Sequence, residues 1–359
     1  MSVEVSWFSA LCDDDYEFLG VPETERLSSY EHCGAIARAA EAVGFDNILL
    51  PSGYALGIDS VAFASAIAPS LERMRLLVAV RCGELWPPQL ARQLATLDHL
   101  LGGRLTINII SSDRPGESLA SDPRYQRTLE EMQILRSLLD RQPVDHHGST
   151  YDLTLDPPRI GTVAGRCPPL YFGGLSDNAR DVAAQAADVF LMWPDTEDVV
   201  VELLDDMRRR AASHGRTLRF GYRVHVVVRE TEDEALEAAA RLVSRLDDEV
   251  GAQIRERSLD SASVGVRRQA ELRDAAGGDG FVEDHLWTGI GRARSGCGAA
   301  IVGDPDQVRA KLERYVELGI DAFILSGYPH REEAETFGRL VLPHLDHGPL
   351  VAEPDASES

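Results

Sequence analysis

The chain has 359 residues, which is long for one small domain but ordinary for an α/β barrel of about 250 residues with insertions. Its formal net charge of −23 repels nucleic acids and anionic membranes, so the composition excludes both as partners. Hydrophobic residues make up 44% of the chain, which is enough for a large core. A small anionic ligand would need a local basic pocket built against this charge, so an inward-facing arginine becomes informative.

The five cysteines are widely spaced and include no CxxC pair, which indicates reduced thiols and gives no sign of a metal site. The N-terminal stretch MSVEVSWFSALCDDDYEF has neither the basic region nor the apolar run of a secretory signal. No stretch approaches the roughly 20 apolar residues of a membrane span. We therefore expect a cytoplasmic protein.

Short apolar runs alternate with longer helical patterns along the chain. In chain order, the runs predict eight strands over residues 3–9, 47–51, 75–81, 104–110, 169–174, 188–193, 219–228 and 322–327. The helical patterns include residues 30–44, 87–103, 176–187 and 304–319. Eight strands separated by helices predict an α/β fold, the (β/α)8 TIM barrel, with a doubly wound open sheet as the alternative. No GxGxxG follows the first strand, which favours the barrel.

A long insertion, at about residues 229–298, separates the last two predicted strands. Its first half has a helical pattern, whereas the stretch DAAGGDGFVEDH is rich in glycine and acid and is predicted to be mobile. Long insertions in barrels often cover the C-terminal face, so we expect a lid, with a surface or oligomer contact as the alternative. Residues 1–345 are predicted to form one domain, followed by a polar tail at 346–359.

The strand at 219–228 carries an unusual pair of polar residues. Arg223 and His225 share one face of the strand with little but valine around them, because strand side chains alternate with period two. Arg223 could brace the barrel by pairing with a buried acid, and His225 could be a structural histidine. Alternatively, both residues could bind an anion.

Further polar residues follow the predicted strands, where barrel active sites lie. Asn108 lies within a strand, and Trp193 ends another. Ser176 follows two glycines and precedes a helix, which is typical of a capped turn and also of a phosphate site. Arg294 lies in a glycine-rich stretch of the insertion, and Tyr328 comes just after the last strand.

Several motifs together resemble the bacterial-luciferase-like flavin monooxygenases, and most closely the FMNH2-dependent alkanesulfonate monooxygenases. The motifs are GGRLTINIISSD, PPLYFGGLSDNA, FLMWPD, RFGYRVHVVVRETEDEA, LWTGIGRARSGCGAAIVGDP and GIDAFILSGYPHREEA. The resemblance implies a luciferase-like barrel with an insertion before its last strand. It also implies reduced FMN from a separate NAD(P)H-dependent flavin reductase, O2 as co-substrate, and a homodimer or homotetramer. A sulfonate would be cleaved to sulfite and an aldehyde.

The resemblance also implies roles for individual residues. Arg223 would hold the anionic head of the substrate, and His225 would share that contact or transfer a proton. Arg294 would arrive with the insertion to complete the anion site, and Tyr328 would hydrogen-bond either the flavin peroxide or the substrate head. Trp193 completes the implied catalytic set. The implied FMN-binding positions are Asn108, Glu117, Arg124, Tyr125, Ser176 and Ser52.

The first half of the chain departs from the sulfonate enzymes. The stretch PSGYALGIDS lacks their cysteine, whose position falls near Leu56, and FSALCDDDYEF lacks a histidine after the first strand. The loop RCGELWPPQ at 81–89 is also altered. We therefore predict an FMNH2-dependent monooxygenase acting on a small organic anion, with an organosulfonate as the first candidate. The alternatives are the same chemistry on a non-sulfonate substrate, an F420-dependent oxidoreductase, or a non-catalytic flavin-binding protein.

Overall fold

The computed structural model describes residues 2–21, 23–117, 119–256, 263–294 and 296–350. The strands, in chain order, are β1 (Glu4–Phe8), β2 (Asn47–Leu50), β3 (Arg75–Arg81), β4 (Leu105–Ile110), β5 (Val144–His147), β6 (Asp152–Leu155), β7 (Leu170–Gly173), β8 (Val189–Met192), β9 (Arg219–Val228), β10 (Phe281–Glu283), β11 (Leu286–Trp287), β12 (Ala300–Gly303) and β13 (Ala322–Ser326).

The helices, in chain order, are α1 (Tyr30–Val43), α2 (Ser60–Ile67), α3 (Pro87–Leu100), α4 (Ser121–Leu139), α5 (Asp177–Ala186), α6 (Glu197–Ser213), α7 (Glu232–Val243), α8 (Asp248–Glu256), α9 (Val264–Ala275), α10 (Pro305–Leu318) and α11 (His330–Leu340). None of them combines the length and the apolar character that crossing a membrane would require.

Eight parallel strands form a closed barrel in the order β1-β2-β3-β4-β7-β8-β9-β13, and β13 pairs with β1 to close it. The predicted (β/α)8 barrel is confirmed, and the open-sheet alternative is wrong. The ends of the eight predicted strands agree with the observed ends to within one residue. The agreement follows from burial on both faces, which makes each parallel strand a short, nearly continuous apolar run.

The clearest predicted helices have strong signals at both ends. The side chain of Asp304 caps the first turn of α10, and Gln307 returns a contact in a capping box. The helix ends at Gly319, whose φ of 114° lies in the left-handed region. Helix α4 gave no such signal, because Glu130 and Glu131 are buried in its middle and blur the apolar stripe. Glu131 accepts hydrogen bonds from the Gly83 amide and the Tyr151 hydroxyl.

The insertion holds α7, α8, α9 and the hairpin of β10 and β11. We expected the glycine-rich stretch to be mobile, and it instead forms this hairpin. Glu283 of β10 lies 2.8 Å from the ammonium nitrogen of Lys311. The Trp287 ring packs so closely on the Gly289 backbone that an added Cβ there would lie 1.9 Å from the ring. One of these contacts joins residues that are far apart in the sequence, and the other depends on close packing. Together they order a segment whose composition predicts mobility.

The lower end of the barrel, opposite the carboxyl ends of its strands, is closed by residues 346–350. We expected a polar tail from 346 onward, but Leu350 is buried and its amide donates to Glu4 at 3.0 Å. Val3 pairs with His347 beside it. Burial raises the pKa of the Glu4 carboxyl, which also accepts from Tyr171 at 2.9 Å. The remainder of the predicted tail, 351–359, lies outside the described residues.

Candidate active site

The register between β9 and β13 brings three polar side chains together near the upper end of the barrel. Arg223 stands opposite Ile324, and His225 stands opposite Ser326. Arg223 and His225 point to one face because they are two residues apart. That face is the barrel interior, since Arg223 lies over Phe8, which packs in the interior apolar cluster with Ile324.

Arg223 is a buried cation, with only 5% of its surface exposed. Its Nη1 donates to the carbonyls of Val224 and Ile324 at 3.1 and 3.2 Å. Its Nη2 has no hydrogen-bond partner among the described residues. Burial lowers the pKa of the guanidinium. An arginine held in this way has a free donor and an uncompensated desolvation cost, and an anion would offset both.

His225 is fully buried beside this arginine. Its Nδ1 lies 2.7 Å from the Ser326 hydroxyl, and its Nε2 has no partner within the described ranges. Burial lowers the pKa of the ring well below its ordinary value, and Arg223 and Arg294 lower it further. The ring is therefore neutral at pH 7. If the Ser326 hydroxyl donates to Nδ1, the proton of the ring is on Nε2, which is then a donor without a described partner.

Tyr328 and Arg294 lie next to His225 and complete the group of polar side chains. The Tyr328 ring stacks on His225 with centroids 5.2 Å apart. Arg294 donates from Nη1 to the Tyr328 hydroxyl at 2.6 Å and to Asp14 at 3.1 Å. Burial raises the pKa of Tyr328, so its hydroxyl stays protonated, and that hydrogen remains available to a ligand. Arg294, which belongs to the insertion, therefore contacts Tyr328 of the barrel.

Phe8 and His330 complete this pocket and were missing from the predicted site. Arg223 lies over the Phe8 ring at 4.5 Å from its centroid, and Arg294 lies at 5.5 Å. His330 stacks on the same ring at 5.5 Å, is buried, and has no described partner for either ring nitrogen. A signal for His330 was available, because it lies a few residues after the last strand. Phe8 gave none, since a phenylalanine in an apolar strand looks like core.

Trp193 packs against the insertion. Added Cβ atoms at Gly265 and Gly296 would approach its ring to 3.0 and 3.3 Å. Both glycines belong to the insertion, and Gly296 is two residues from Arg294. The ring therefore supports the segment that carries Arg294.

The predicted phosphate site is assembled by the first turns of α4 and α5. Asn178 donates to Asp122 at 2.6 Å, which brings these two turns together. Ser176 caps α5 by accepting from the Ala179 amide, and the helix N-terminus favours an anion. A Cβ on Gly174 would lie 2.6 Å from Ala179, so only glycine fits this turn.

Two further predicted FMN contacts lie at the same place. The Tyr125 hydroxyl would be 3.6 Å from a Cβ on Gly174. The Nε of Arg124 is buried without a partner in the described part of the chain. A capped helix end, a tight glycine turn and an arginine with a free donor fit an FMN phosphate.

The other predicted flavin contacts are less uniform. Asn108 is buried on β4. Glu117 accepts from Arg127 at 2.7 Å and from Arg114, so its carboxylate already has partners. Ser52 follows β2, and its carbonyl accepts from Arg81 at 2.7 Å. Asn108 and Ser52 lie in or just after barrel strands, whereas Glu117 lies in the loop that precedes α4.

A cysteine does lie next to the loop after β2, although not where the sequence comparison looked for one. Cys12, from the loop after β1, packs against Gly53, where an added Cβ would be 3.1 Å from its Sγ. Burial raises the pKa of the Cys12 thiol to about 12, so the group is neutral and is a weak nucleophile.

Three features together define a class of protein. They are the closed parallel barrel, the turn at Ser176 that suits a phosphate, and the buried group around Arg223 and Arg294, which we call the cation pocket. Residues 17–322 match the family model described as luciferase-like monooxygenase, and the chain belongs to this family. It is a monooxygenase: its curated relatives include two sulfoquinovose monooxygenases, from Novosphingobium aromaticivorans and Agrobacterium fabrum. The first is 65% identical over 97% of this chain and 98% of its own length, and the second 53% identical over 96% and 90%.

Solved structures agree on the fold. An EDTA monooxygenase from Chelativorans has a TM-score of 0.77 with 17% identity, over 96% of this chain and 93% of its own. The likeness at this identity concerns the barrel and its insertion.

Proposed function

We propose that this chain is the oxygenating component of a two-component FMNH2- and O2-dependent monooxygenase that desulfonates sulfoquinovose, a glucose with sulfonate in place of its C6 hydroxyl. Reduced FMN and O2 supply one oxygen atom to the carbon that bears sulfur, the C–S bond breaks to give sulfite and an aldehyde, and the second oxygen atom leaves as water. A separate NAD(P)H-dependent flavin reductase would supply the FMNH2.

The observation that carries this proposal is the group of free donors around Arg223. A sulfonate has three oxygens that only accept hydrogen bonds and one negative charge. The Nη2 of Arg223, the Nε2 of His225 and the Tyr328 hydroxyl can each donate to it, and the charges of Arg223 and Arg294 balance it. Such a pocket suits a compact oxyanion better than a neutral substrate.

The flavin end of the proposal rests on the turn at Ser176. Arg124, Tyr125 and Ser176 would hold the FMN phosphate, while Asn108 would lie near the ring system. The sugar assignment rests on the two curated relatives named for sulfoquinovose, because the donors around Arg223 contact only the sulfonate end of a substrate.

The test is an aerobic assay of the purified chain with FMN, NADH and a flavin reductase. Sulfoquinovose and a series of alkanesulfonates would be offered, and sulfite would be measured. We expect sulfite from sulfoquinovose, none without the reductase, and a loss of at least 100-fold in Arg223→Ala. Arg339→Ala is the matched control, because this arginine is exposed on α11 and pairs with Glu230. Equal loss in both variants would contradict the assignment of Arg223.

The second candidate is the same flavin chemistry on a non-sulfonate anion. The loops after β2 and β3 favour it, because Tyr54 and Trp86 are exposed there and replace the loop sequences of the alkanesulfonate enzymes. Binding of FMN without sulfite from any sulfonate would support this candidate. Absence of both FMN binding and sulfite release would contradict the proposed flavin chemistry.

A further inference from the structure

Three consecutive acids, Asp13, Asp14 and Asp15, follow β1, and two of them hold the loop in place. Asp13 accepts from the Ser28 amide at 2.7 Å and from the Gly57 amide at 3.1 Å. Its φ of 50° is an unusual conformation for a residue other than glycine, and these contacts stabilise it.

Asp15 is buried and has partners on both oxygens. One oxygen accepts from the His330 amide at 2.9 Å, and the other lies 2.9 Å from Nε2 of His32. The carboxylates of Asp13 and Asp15 therefore have structural roles. They fix the position of the residue between them.

Asp14 differs from its neighbours because it faces the cation pocket. Its Oδ2 accepts from Arg294 at 3.1 Å. Its Oδ1 is buried and has no hydrogen-bond partner among the residues that the structure describes. The side chain is 14% exposed, so water can satisfy this oxygen only partly. The carboxylate is near enough to Arg223 to raise the pKa of that guanidinium, against the larger lowering effect of burial.

A carboxylate in an anion pocket restricts what can bind there. Its oxygens only accept hydrogen bonds, and they repel a second anion. A ligand that suits the whole pocket must bring an anionic group to Arg223 and a hydrogen-bond donor to Asp14. A sugar sulfonate carries both, whereas an alkanesulfonate offers Asp14 only C–H groups and leaves a buried acceptor unsatisfied.

We propose that Asp14 accepts a hydrogen bond from a hydroxyl of the sugar and thereby selects hydroxylated sulfonates over alkyl sulfonates. The inference rests on the proposed function and deepens it. Asp14 binds the sugar part of the substrate, and Arg223 binds the sulfonate. Arg294 joins the two parts of the pocket, because it contacts both Asp14 and Tyr328.

The experiment compares kcat/KM for sulfoquinovose and for hexanesulfonate in the wild type, Asp14→Asn and Asp14→Ala. For sulfoquinovose we expect kcat/KM to fall by about 10- to 100-fold, mainly through a higher KM. This is the effect expected from the loss of one hydrogen bond to a charged group. For hexanesulfonate we expect no loss or a gain, because the repelling carboxylate is gone. Asp14→Asn keeps the shape of the side chain and one acceptor oxygen, so it should fold normally and lose less than Asp14→Ala.

The matched control is Asp205→Asn. Asp205 also pairs with an arginine, Arg208, at 3.1 Å, but on the exposed surface of α6. Equal losses for both substrates would overturn the proposal, since Asp14 would then act only by positioning Arg294. Unchanged kinetics would overturn it too. A wild type that releases sulfite from hexanesulfonate but not from sulfoquinovose would instead refute the proposed function, and the role of Asp14 with it.

Discussion

The Ser326 hydroxyl lies 2.7 Å from Nδ1 of His225, across the paired strands β13 and β9. Both residues are fully buried, and the ring is neutral because burial lowers its pKa. A serine in this position can fix which ring nitrogen carries the proton. When Ser326 donates to Nδ1, Nε2 becomes the donor that an anion requires.

Removing this hydroxyl should therefore weaken substrate binding. We expect Ser326→Ala to raise KM by about 10- to 100-fold, because a lost partner in a buried network costs about 1–3 kcal/mol. The measurement is sulfite release against substrate concentration. Ser326→Thr should restore most of the affinity, since it keeps a hydroxyl. Ser213→Ala, at an exposed serine on α6, is the control. Failure of threonine to rescue would argue against the tautomer argument.

Arg223 should reduce the stability of the protein while it serves binding. Without an anion its charge is buried and not compensated by a carboxylate among its described contacts. We expect Arg223→Met to keep or increase stability by about 1–4 kcal/mol while substrate binding is lost. Thermal unfolding without substrate measures the first effect. A fall in Tm of several degrees would show instead that the bonds to Val224 and Ile324 dominate.

The turn at Ser176 should recognise the phosphate rather than the flavin ring. We expect Ser176→Ala and Arg124→Ala to raise the Kd for FMN by about tenfold or more, since contacts to a charged group contribute about 1.5–3 kcal/mol. Binding of riboflavin, which lacks the phosphate, should change little. Fluorescence titration with both flavins measures this. Ser29→Ala removes a comparable helix cap from α1 and is the control. Equal weakening for both flavins would contradict the assignment.

Glu131 should make the stability of the protein depend on pH. Burial raises the pKa of its carboxyl to about 7 from an ordinary 4.5. The folded protein therefore binds a proton more tightly than the unfolded chain. The stabilising contribution of protonated Glu131 to the free energy of unfolding is fully present below about pH 4.5 and is lost as the pH rises through 7. The difference corresponds to about 3 kcal/mol.

We therefore expect Glu131→Gln to be more stable than the wild type at pH 8 and similar to it at pH 5. Denaturant unfolding at the two pH values measures this. Glu335→Gln, at a half-exposed glutamate on α11, is the control. A constant difference between Glu131→Gln and the wild type at both pH values would contradict the assignment.

The barrel could be predicted because its signals are local. Apolar runs such as 75–81 and 219–228 predict buried parallel strands, and no information about the neighbouring strands is needed. Helix α4 could not be predicted in the same way, since Glu130 and Glu131 find their partners in a loop about twenty residues further along the chain. Composition likewise suggested a loose loop at 274–285, where a contact with Lys311 holds a strand.

The residues of the pocket could be predicted from the sequence only in part, for a related reason. Arg223 and His225 are conspicuous because polar residues interrupt a valine-rich strand. Asp14 and Ser326 are ordinary surface-type residues, and their importance depends on which oxygen or nitrogen faces them in the fold. The three acids after β1 were visible as a departure from the alkanesulfonate enzymes. Only the hydrogen bonds distinguish Asp14 from Asp13 and Asp15.

Strand β9 pairs both with a strand of the barrel and with the strand that follows the insertion. Its first half pairs with β8 of the barrel, while residues from His225 to Val228 pair with β12, which follows the insertion. The pocket and the base of the insertion therefore share one ladder of backbone hydrogen bonds. A rigid-body swing of that base would break the ladder beside His225. The stretch that carries Arg294 starts at β11 and ends at β12, and these two strands pair with each other in the same sheet as β9.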